Sequence, residues 1–131
     1  MATKKILLIE DDEILSRVMA EELIEAGFEV SKAYDGESGL EMARSKKPDA
    51  VFLDLLLPKK SGFEVLKELK SAPGTNAIPV IIISMLGADE DIKKGLQLGA
   101  IDYIVKSQHA LTEIVEKAKE FFSSEQALGK K

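Results

Sequence analysis

Four short and almost wholly apolar runs constrain the fold of this chain more than any other feature of its sequence. Each is rich in Ile, Leu or Val, and they occupy residues 6–9, 51–53, 80–83 and 104–105. A weaker fifth run covers residues 28–33. Runs that are apolar throughout, without polar alternation, are typical of parallel strands buried on both faces. The runs therefore predict a parallel sheet.

Segments with helical spacing separate the apolar runs. In the first of them, apolar residues recur at steps of three and four, and a glycine follows where a helix end favours positive φ. The apolar residues are Leu15, Val18, Met19, Leu23 and Ala26, and the glycine is Gly27. The same spacing recurs after the other runs, so a strand followed by a helix occurs five times. Because crossovers between parallel strands are right-handed, we predict an α/β fold with helices on both faces of the sheet, a three-layer (βα)5 sandwich.

The composition is that of one globular domain. The chain has 131 residues, of which 45% are hydrophobic and 31% charged, enough for a single buried core. We expect the domain to cover residues 1–122, followed by a short, frayed C-terminal tail at 123–131. The sequence has no cysteine, which excludes disulfides, thiolate metal sites and cysteine nucleophiles.

Charge and hydropathy restrict the partners that we expect. A formal net charge of −5 argues against direct binding of nucleic acid. No apolar run approaches the roughly 20 residues that a membrane helix needs, and the N-terminal apolar stretch is too short for a signal peptide. We therefore expect a cytoplasmic protein without membrane insertion.

Polar side chains follow the predicted strands at the point where each strand ends. Asp11 and Asp12 follow the first run within the sequence EDDE, and Asp54, Ser84 and Lys106 end three others. In open α/β sheets, ligands bind beyond the carboxyl ends of the strands. The sequence therefore predicts a polar site at this edge of the sheet.

The predicted site is acidic and has no glycine-rich phosphate loop after the first strand. Carboxylates that lie close together repel one another unless a cation neutralises them, and Mg²⁺ prefers such oxygen ligands. Asp11, Asp12 and Asp54 contribute a formal charge of −3, which Mg²⁺ and Lys106 together would balance. A carboxylate can also act as a nucleophile that forms an aspartyl phosphate.

Four motifs carry a family resemblance. LLIEDDE, VFLDLLLPKKSG, VIIIS and GAIDYIVK, in this order and spacing, resemble the receiver domain of two-component response regulators. The resemblance covers about residues 4–122. It implies a flavodoxin-like sheet of five parallel strands in the order 2-1-3-4-5. It also implies a phosphorylation-dependent signalling switch and not an enzyme. Such a protein catalyses only its own phosphorylation and its own slow dephosphorylation.

The resemblance assigns a role to each polar residue at the strand ends. Asp54 would be the phosphoacceptor. Mg²⁺ would be bound by Asp11, Asp12, Asp54 and the backbone carbonyl of Leu56. The phosphoryl group would come from a sensor histidine kinase or a histidine phosphotransfer protein.

The switch residues follow from the same resemblance. Ser84 and Lys106 would contact the phosphoryl oxygens, and Tyr103 would change rotamer as Ser84 moves. We expect residues 84–122 to form the face that binds a downstream protein. Dimerisation through this face on phosphorylation is left open.

Two features depart from the family pattern. Receivers usually have proline after the lysine that matches Lys106, often with a cis bond, whereas Ser107 stands here. Since a cis bond before a residue other than proline costs about 2.5–4 kcal/mol, we expect either a trans peptide with a reshaped loop or a strained cis one. Leu56, Met85 and Leu86 make the rim of the site apolar. They offer no polar group to orient water, so we expect slow hydrolysis of the phosphoaspartate.

Other interpretations stay open. Asp12 or Glu13 could serve only as a helix N-cap, and Tyr103 could be ordinary packing. The chain could be a receiver-like interaction module that is never phosphorylated, although we favour a stand-alone receiver that signals through protein binding. A phosphatase with an aspartyl-phosphate intermediate is disfavoured, because Asp11 is not followed by the DxDxT pattern of such enzymes.

Overall fold

The computed structural model describes the backbone of residues 3–129 and the side chains of residues 3–123. One sheet of five parallel strands has the order β2-β1-β3-β4-β5, which confirms the predicted α/β fold. The strands are β1 (Lys5–Ile9), β2 (Glu29–Ala33), β3 (Ala50–Leu53), β4 (Val80–Ser84) and β5 (Asp102–Val105). Each contains most of one apolar run, with its boundary displaced by one or two residues.

A helix follows each strand. The helices are α1 (Glu13–Glu25), α2 (Gly36–Lys46), α3 (Gly62–Ser71), α4 (Asp89–Gln97) and α5 (Leu111–Gly129), with a 3₁₀ turn at Lys106–Gln108. Helix α5 continues through most of the segment for which a frayed tail was predicted, while Lys130 and Lys131 lie outside the described residues. No helix among residues 3–129 is both long enough and apolar enough to cross a membrane.

The central strands β1, β3 and β4 are buried on both faces, as the continuous apolar runs predict. Along β1, Ile6 and Leu8 join a cluster with residues of α1 and α5. Leu7 and Ile9 point to the opposite face, where they join a cluster with residues of α2 and α3. Because successive side chains of a strand alternate between faces, a strand covered on both sides must be apolar throughout.

Strand register brings the predicted site residues to one edge. Ile9 of β1 lies beside Leu53 of β3, and the backbone N–H of Asp54 donates to the carbonyl of Ile9 at 3.0 Å. At the other side of β3, Ser84 of β4 lies beside Val105 of β5. The residues that follow β1, β3 and β5 therefore lie together at the edge formed by the carboxyl ends of the strands.

Candidate functional site

Asp54 is a buried carboxylate directly after β3, with only 6% of its side chain exposed. Its Oδ1 accepts a hydrogen bond from the backbone N–H of Leu56 at 3.2 Å. Its Oδ2 lies 3.2 Å from Nζ of Lys106. A buried charge is costly unless it is paired and hydrogen-bonded, and both conditions are met here.

Lys106 connects Asp54 to a second buried carboxylate. Its ammonium donates to Glu10 Oε1 at 2.6 Å as well as to Asp54. Burial alone would lower the pKa of Lys106, but the hydrogen bond to Glu10 and the negative charges of Asp54 and Glu10 outweigh it, so that this pKa is raised. The lysine is therefore held in its charged form between two carboxylates.

Glu10 belongs to the site, although it was not among the site residues predicted from the sequence. Its side chain is 3% exposed, and Oε2 accepts from the backbone N–H of Asp12 at 3.2 Å. Burial raises the pKa of Glu10, against the opposing hydrogen bond from Lys106. The sequence signal that could have found it is its position: Glu10 directly follows β1, as Asp54 directly follows β3.

The carboxylate of Asp12, which was predicted to bind Mg²⁺, caps helix α1 in this structure. Oδ1 of Asp12 accepts from the backbone N–H groups of Ile14 and Leu15, both at 3.1 Å. These are two of the donors that the first turn of α1 leaves without partners inside the helix. The alternative role of Asp12 as an N-cap is the one that the structure supports.

Three other carboxylates could hold a cation together. Glu10, Asp11 and Asp54 each offer an oxygen atom, and these atoms lie within 4.8 Å of one another. Asp11 is exposed, whereas the other two are buried. Carboxylate oxygens at the mouth of a buried cluster are the donor set that a hard divalent cation prefers. The residues present therefore fit Mg²⁺, with Glu10 in the place predicted for Asp12.

Ser84 and Tyr103 lie on the neighbouring strands and share one loop. Ser84 is fully buried, and its Oγ accepts from the backbone N–H of Leu86 at 3.2 Å. The hydroxyl of Tyr103 donates to the carbonyl of the same Leu86. Burial raises the pKa of Tyr103, and a hydrogen bond to Ser84 acts in the opposite direction. The structure thus brings these two residues together at the β4–α4 loop.

Comparison with known proteins decides the family. The family described as "Response regulator receiver domain" matches residues 6–119 of the chain. The chain belongs to this family. Receiver domains of two-component systems are phosphorylation-dependent signalling modules that bind Mg²⁺ at an acidic pocket.

Individual relatives agree with this assignment. The probable transcriptional regulatory protein SilR of Salmonella typhimurium is 37% identical over 115 residues, which cover 88% of this chain and 49% of SilR. The chain spans about half the length of the curated relatives it matches. SilR, AfsQ1 of Streptomyces coelicolor and RpaA of Synechocystis are each named as transcriptional regulators.

Two solved structures are similar over nearly the whole receiver domain. The phosphorylated cyanobacterial phytochrome response regulator RcpA has a TM-score of 0.81 and 35% identity, and the match covers 94% of this chain and 96% of RcpA. The Mn²⁺-bound form of the response regulator Rcp1 has a TM-score of 0.78 and 31% identity, with 91% and 94% covered.

Lys106 is followed by Ser107 in this receiver domain, where the family usually has proline. Among residues 3–129 there is no cis peptide bond, so the bond between Lys106 and Ser107 is trans. A 3₁₀ turn over Lys106–Gln108 follows β5 directly. Of the two alternatives, the structure has the trans peptide with a reshaped loop, and Lys106 still reaches Asp54.

The rim of the site is apolar, as the sequence indicates. Leu56 lies two residues after Asp54 and Met85 directly follows Ser84, and these residues are 52% and 56% exposed. Leu56 contributes its backbone N–H to Asp54, while its carbonyl stays a predicted metal ligand. No polar side-chain atom is present at either position.

We predict that Lys106→Met lowers the free energy of unfolding by about 3 kcal/mol without added divalent cation, because two buried carboxylates lose their counter-charge. The matched control is Lys119→Met, which removes an exposed lysine whose partner is Glu116. An exposed pair of this kind contributes about 0.5 kcal/mol or less. Urea denaturation measures both variants.

The difference in stability between wild type and Lys106→Met should also depend on pH. Because folding raises the pKa of Lys106, its stabilising contribution is fully present below its unfolded-state pKa, about 10.4, and is lost as pH rises through the folded-state value. The stability gap between wild type and Lys106→Met should therefore be constant from about pH 8 to about pH 9.5 and narrow above about pH 10.4. A gap as small as that of Lys119→Met at every pH would contradict this assignment.

Proposed function

We propose that Asp54 accepts a phosphoryl group from the phosphohistidine of a sensor histidine kinase or a histidine phosphotransfer protein, with Mg²⁺ bound beside it, and that the phosphorylated domain signals by binding another protein. The observation that carries the proposal is the position of Asp54. It is a buried carboxylate between the ammonium of Lys106 and the acidic group of Glu10 and Asp11.

The transfer needs little from the protein besides alignment and charge neutralisation. A carboxylate oxygen of Asp54 attacks phosphorus, the P–N bond of the phosphohistidine breaks, and its electron pair stays on the imidazole nitrogen, which takes a proton from solvent. Lys106 Nζ, 3.2 Å from Asp54 Oδ2, is close enough to compensate negative charge on the transferred group. No other side chain has to gain or lose a proton.

Asp11 and Asp54 are the residues that we propose to hold Mg²⁺, with Glu10 beside them. The carboxylate oxygens of all three lie within 4.8 Å of one another. The bound cation supplies positive charge that reduces the repulsion between these carboxylates and an incoming phosphoryl group. The Mn²⁺-bound form of the related Rcp1 supports a divalent cation in this role.

Phosphorylation would rearrange the hydrogen bonds of the site. The phosphoryl group adds a charge near −2 and three acceptor oxygens at Asp54. Moving a two-state equilibrium from 1:99 to 99:1 takes about 5.5 kcal/mol, and hydrogen bonds to charged groups contribute about 1.5–3 kcal/mol each. A new bond from Ser84 would supply part of this free energy. The bond from Lys106 to Asp54 exists before phosphorylation, so it would contribute only by the amount that it strengthens. The loop that Ser84 shares with Tyr103 would transmit the change.

The output would be a protein contact made by residues 84–122. RpaA, a relative named as DNA-binding, is more than twice as long as the region that it shares with this chain, so its DNA binding is not carried over to this domain. A net charge of −5 supports a protein partner over direct contact with nucleic acid.

A module that never carries phosphate is the alternative, and the contact between Lys106 and Asp54 argues against it. The missing proline could have displaced Lys106 from the site. The ammonium instead lies 3.2 Å from Asp54 Oδ2, and this distance supports a phosphorylated switch over the alternative.

We predict that wild-type protein incubated with Mg²⁺ and a small phosphodonor, such as acetyl phosphate, gains the mass of one phosphoryl group. Asp54→Asn should gain none, because the amide is not a nucleophile. Asp89→Asn is the matched control: it removes an exposed carboxylate from the first turn of α4 and should be phosphorylated like wild type. Intact-protein mass spectrometry measures all three, and equal labelling of wild type and Asp54→Asn would sink the proposal.

We further predict slow hydrolysis of the phosphoaspartate, because the apolar rim offers no group to orient an attacking water. Leu56→Asn adds a side-chain amide next to Asp54 and should speed loss of the phosphoryl group several-fold. Ile24→Asn, at an exposed position near the end of α1, should leave the rate unchanged. The rate is measured by following the phosphorylated protein after the phosphodonor is removed, and an unchanged rate in Leu56→Asn would contradict the role of the rim.

A further inference from the structure

The loop between β3 and α3 is closed tightly at its base. The backbone N–H of Gly62 donates to the carbonyl of Leu55 at 3.0 Å. A Cβ atom at Gly62 would lie 2.3 Å from the carbonyl oxygen of Asp54. Residues 56–61 therefore form a short loop whose two ends are fixed against each other beside Asp54.

A strained turn forms the tip of this loop. The backbone N–H of Lys60 donates to the carbonyl of Pro58 at 2.8 Å, and φ of the intervening Lys59 is 69°. A three-residue turn with positive φ at its centre is rare and strained. Strain of this kind persists only where the surrounding structure holds the backbone in place. The 58–60 turn therefore needs a support.

The first residue of α2 supplies that support. The backbone N–H of Gly36 donates to the carbonyl of Pro58 at 3.3 Å. A Cβ atom at Gly36 would lie 2.2 Å from the backbone oxygen of Lys60 and 2.7 Å from its Cβ. The absence of a side chain at Gly36 thus lets the start of α2 contact the 58–60 turn backbone to backbone.

Helix α2 is fixed more firmly than the 58–60 turn. Leu40 and Ala43 of α2 are buried in the core cluster that includes residues of α3 and the sheet. Pro58 and Lys59 are exposed. A methyl group at Gly36 would therefore displace the turn, because the turn borders solvent and the helix is packed against the core.

The backbone of Leu56 would take up this displacement. The proline ring fixes φ at Pro58, and Leu55 is buried at the base of the loop. The change therefore falls on Leu56 and Leu57. The N–H of Leu56 donates to Oδ1 of Asp54 at 3.2 Å, and its carbonyl is the predicted metal ligand.

We propose that Gly36 is a positioning residue for the Mg²⁺ site: it holds the 58–60 turn, and through that turn it holds the backbone of Leu56 beside Asp54. The inference rests on the Mg²⁺ site proposed above. Gly36 acts only through the loop.

Calorimetric titration with Mg²⁺ compares wild type with two variants of α2. Gly36→Ala should lower the affinity for Mg²⁺ by about tenfold or more, the usual effect of losing a group that orients a metal ligand. Ala43→Gly is the matched control: it weakens the same helix about two turns further on and should bind Mg²⁺ as wild type does. Urea denaturation checks that both variants are folded. Equal affinities of the two variants would overturn the proposal, as would a loss in Ala43→Gly alone.

Hydrogen exchange separates this inference from the proposed function, because it needs no Mg²⁺. The amide proton of Leu56 should exchange several-fold faster in Gly36→Ala than in wild type, while that of Val51 in β3 should be unaffected. An unchanged rate at Leu56 would overturn the inference. Wild-type protein that binds no Mg²⁺, with Leu56 responding as expected, would refute the metal site and leave the positioning of Leu56 by Gly36 intact.

If Gly36→Ala does not fold, the wild-type domain still decides. In nuclear magnetic resonance spectra, the amide signals of Gly36 and Lys60 should shift during the Mg²⁺ titration with the same midpoint as that of Leu56, because coupling between two sites is reciprocal. The signal of Gly74, beyond the other end of α3, should not shift. Unshifted signals at Gly36 and Lys60 would refute the proposal.

Discussion

The ammonium of Lys106, shared between Glu10 and Asp54, is the interaction on which the site depends. All three side chains are almost fully buried, and the lysine lies 2.6 Å from one carboxylate and 3.2 Å from the other. One positive charge cannot balance two buried negative ones and the nearby Asp11 as well. The remaining negative charge makes this edge of the sheet suited to a divalent cation.

Parallel strands bring about this concentration of charge. Residues distant in the chain meet because the carboxyl ends of β1, β3 and β5 lie at one edge, and the core on both faces fixes the register. The same edge carries the loop between Ser84 and Leu86, to which Tyr103 is bonded. A change of charge at Asp54 is thus adjacent to the loop that leads into α4.

The apolar runs predicted the five strands, and the position of Asp54 and Lys106 after two of them predicted their meeting. The run EDDE was harder to interpret, because which of its carboxylates points into the site depends on where β1 ends and α1 begins. Asp12 lies one residue before the helix and caps it, while Glu10 lies one residue after the strand and turns inward. The trans peptide after Lys106 could not be predicted from the sequence, since only the packed loop decides between a reshaped trans loop and a strained cis bond.

Calorimetric titration with Mg²⁺ tests the central claim most directly, because it asks which carboxylates share the ion. Asp11→Asn should lose most of the affinity for Mg²⁺, because it removes one of the three clustered carboxylates that could hold the ion. Asp12→Ala should bind nearly as wild type does, although loss of the cap lowers its stability by about 1 kcal/mol. The opposite order, with affinity lost in Asp12→Ala and kept in Asp11→Asn, would contradict this account of the site.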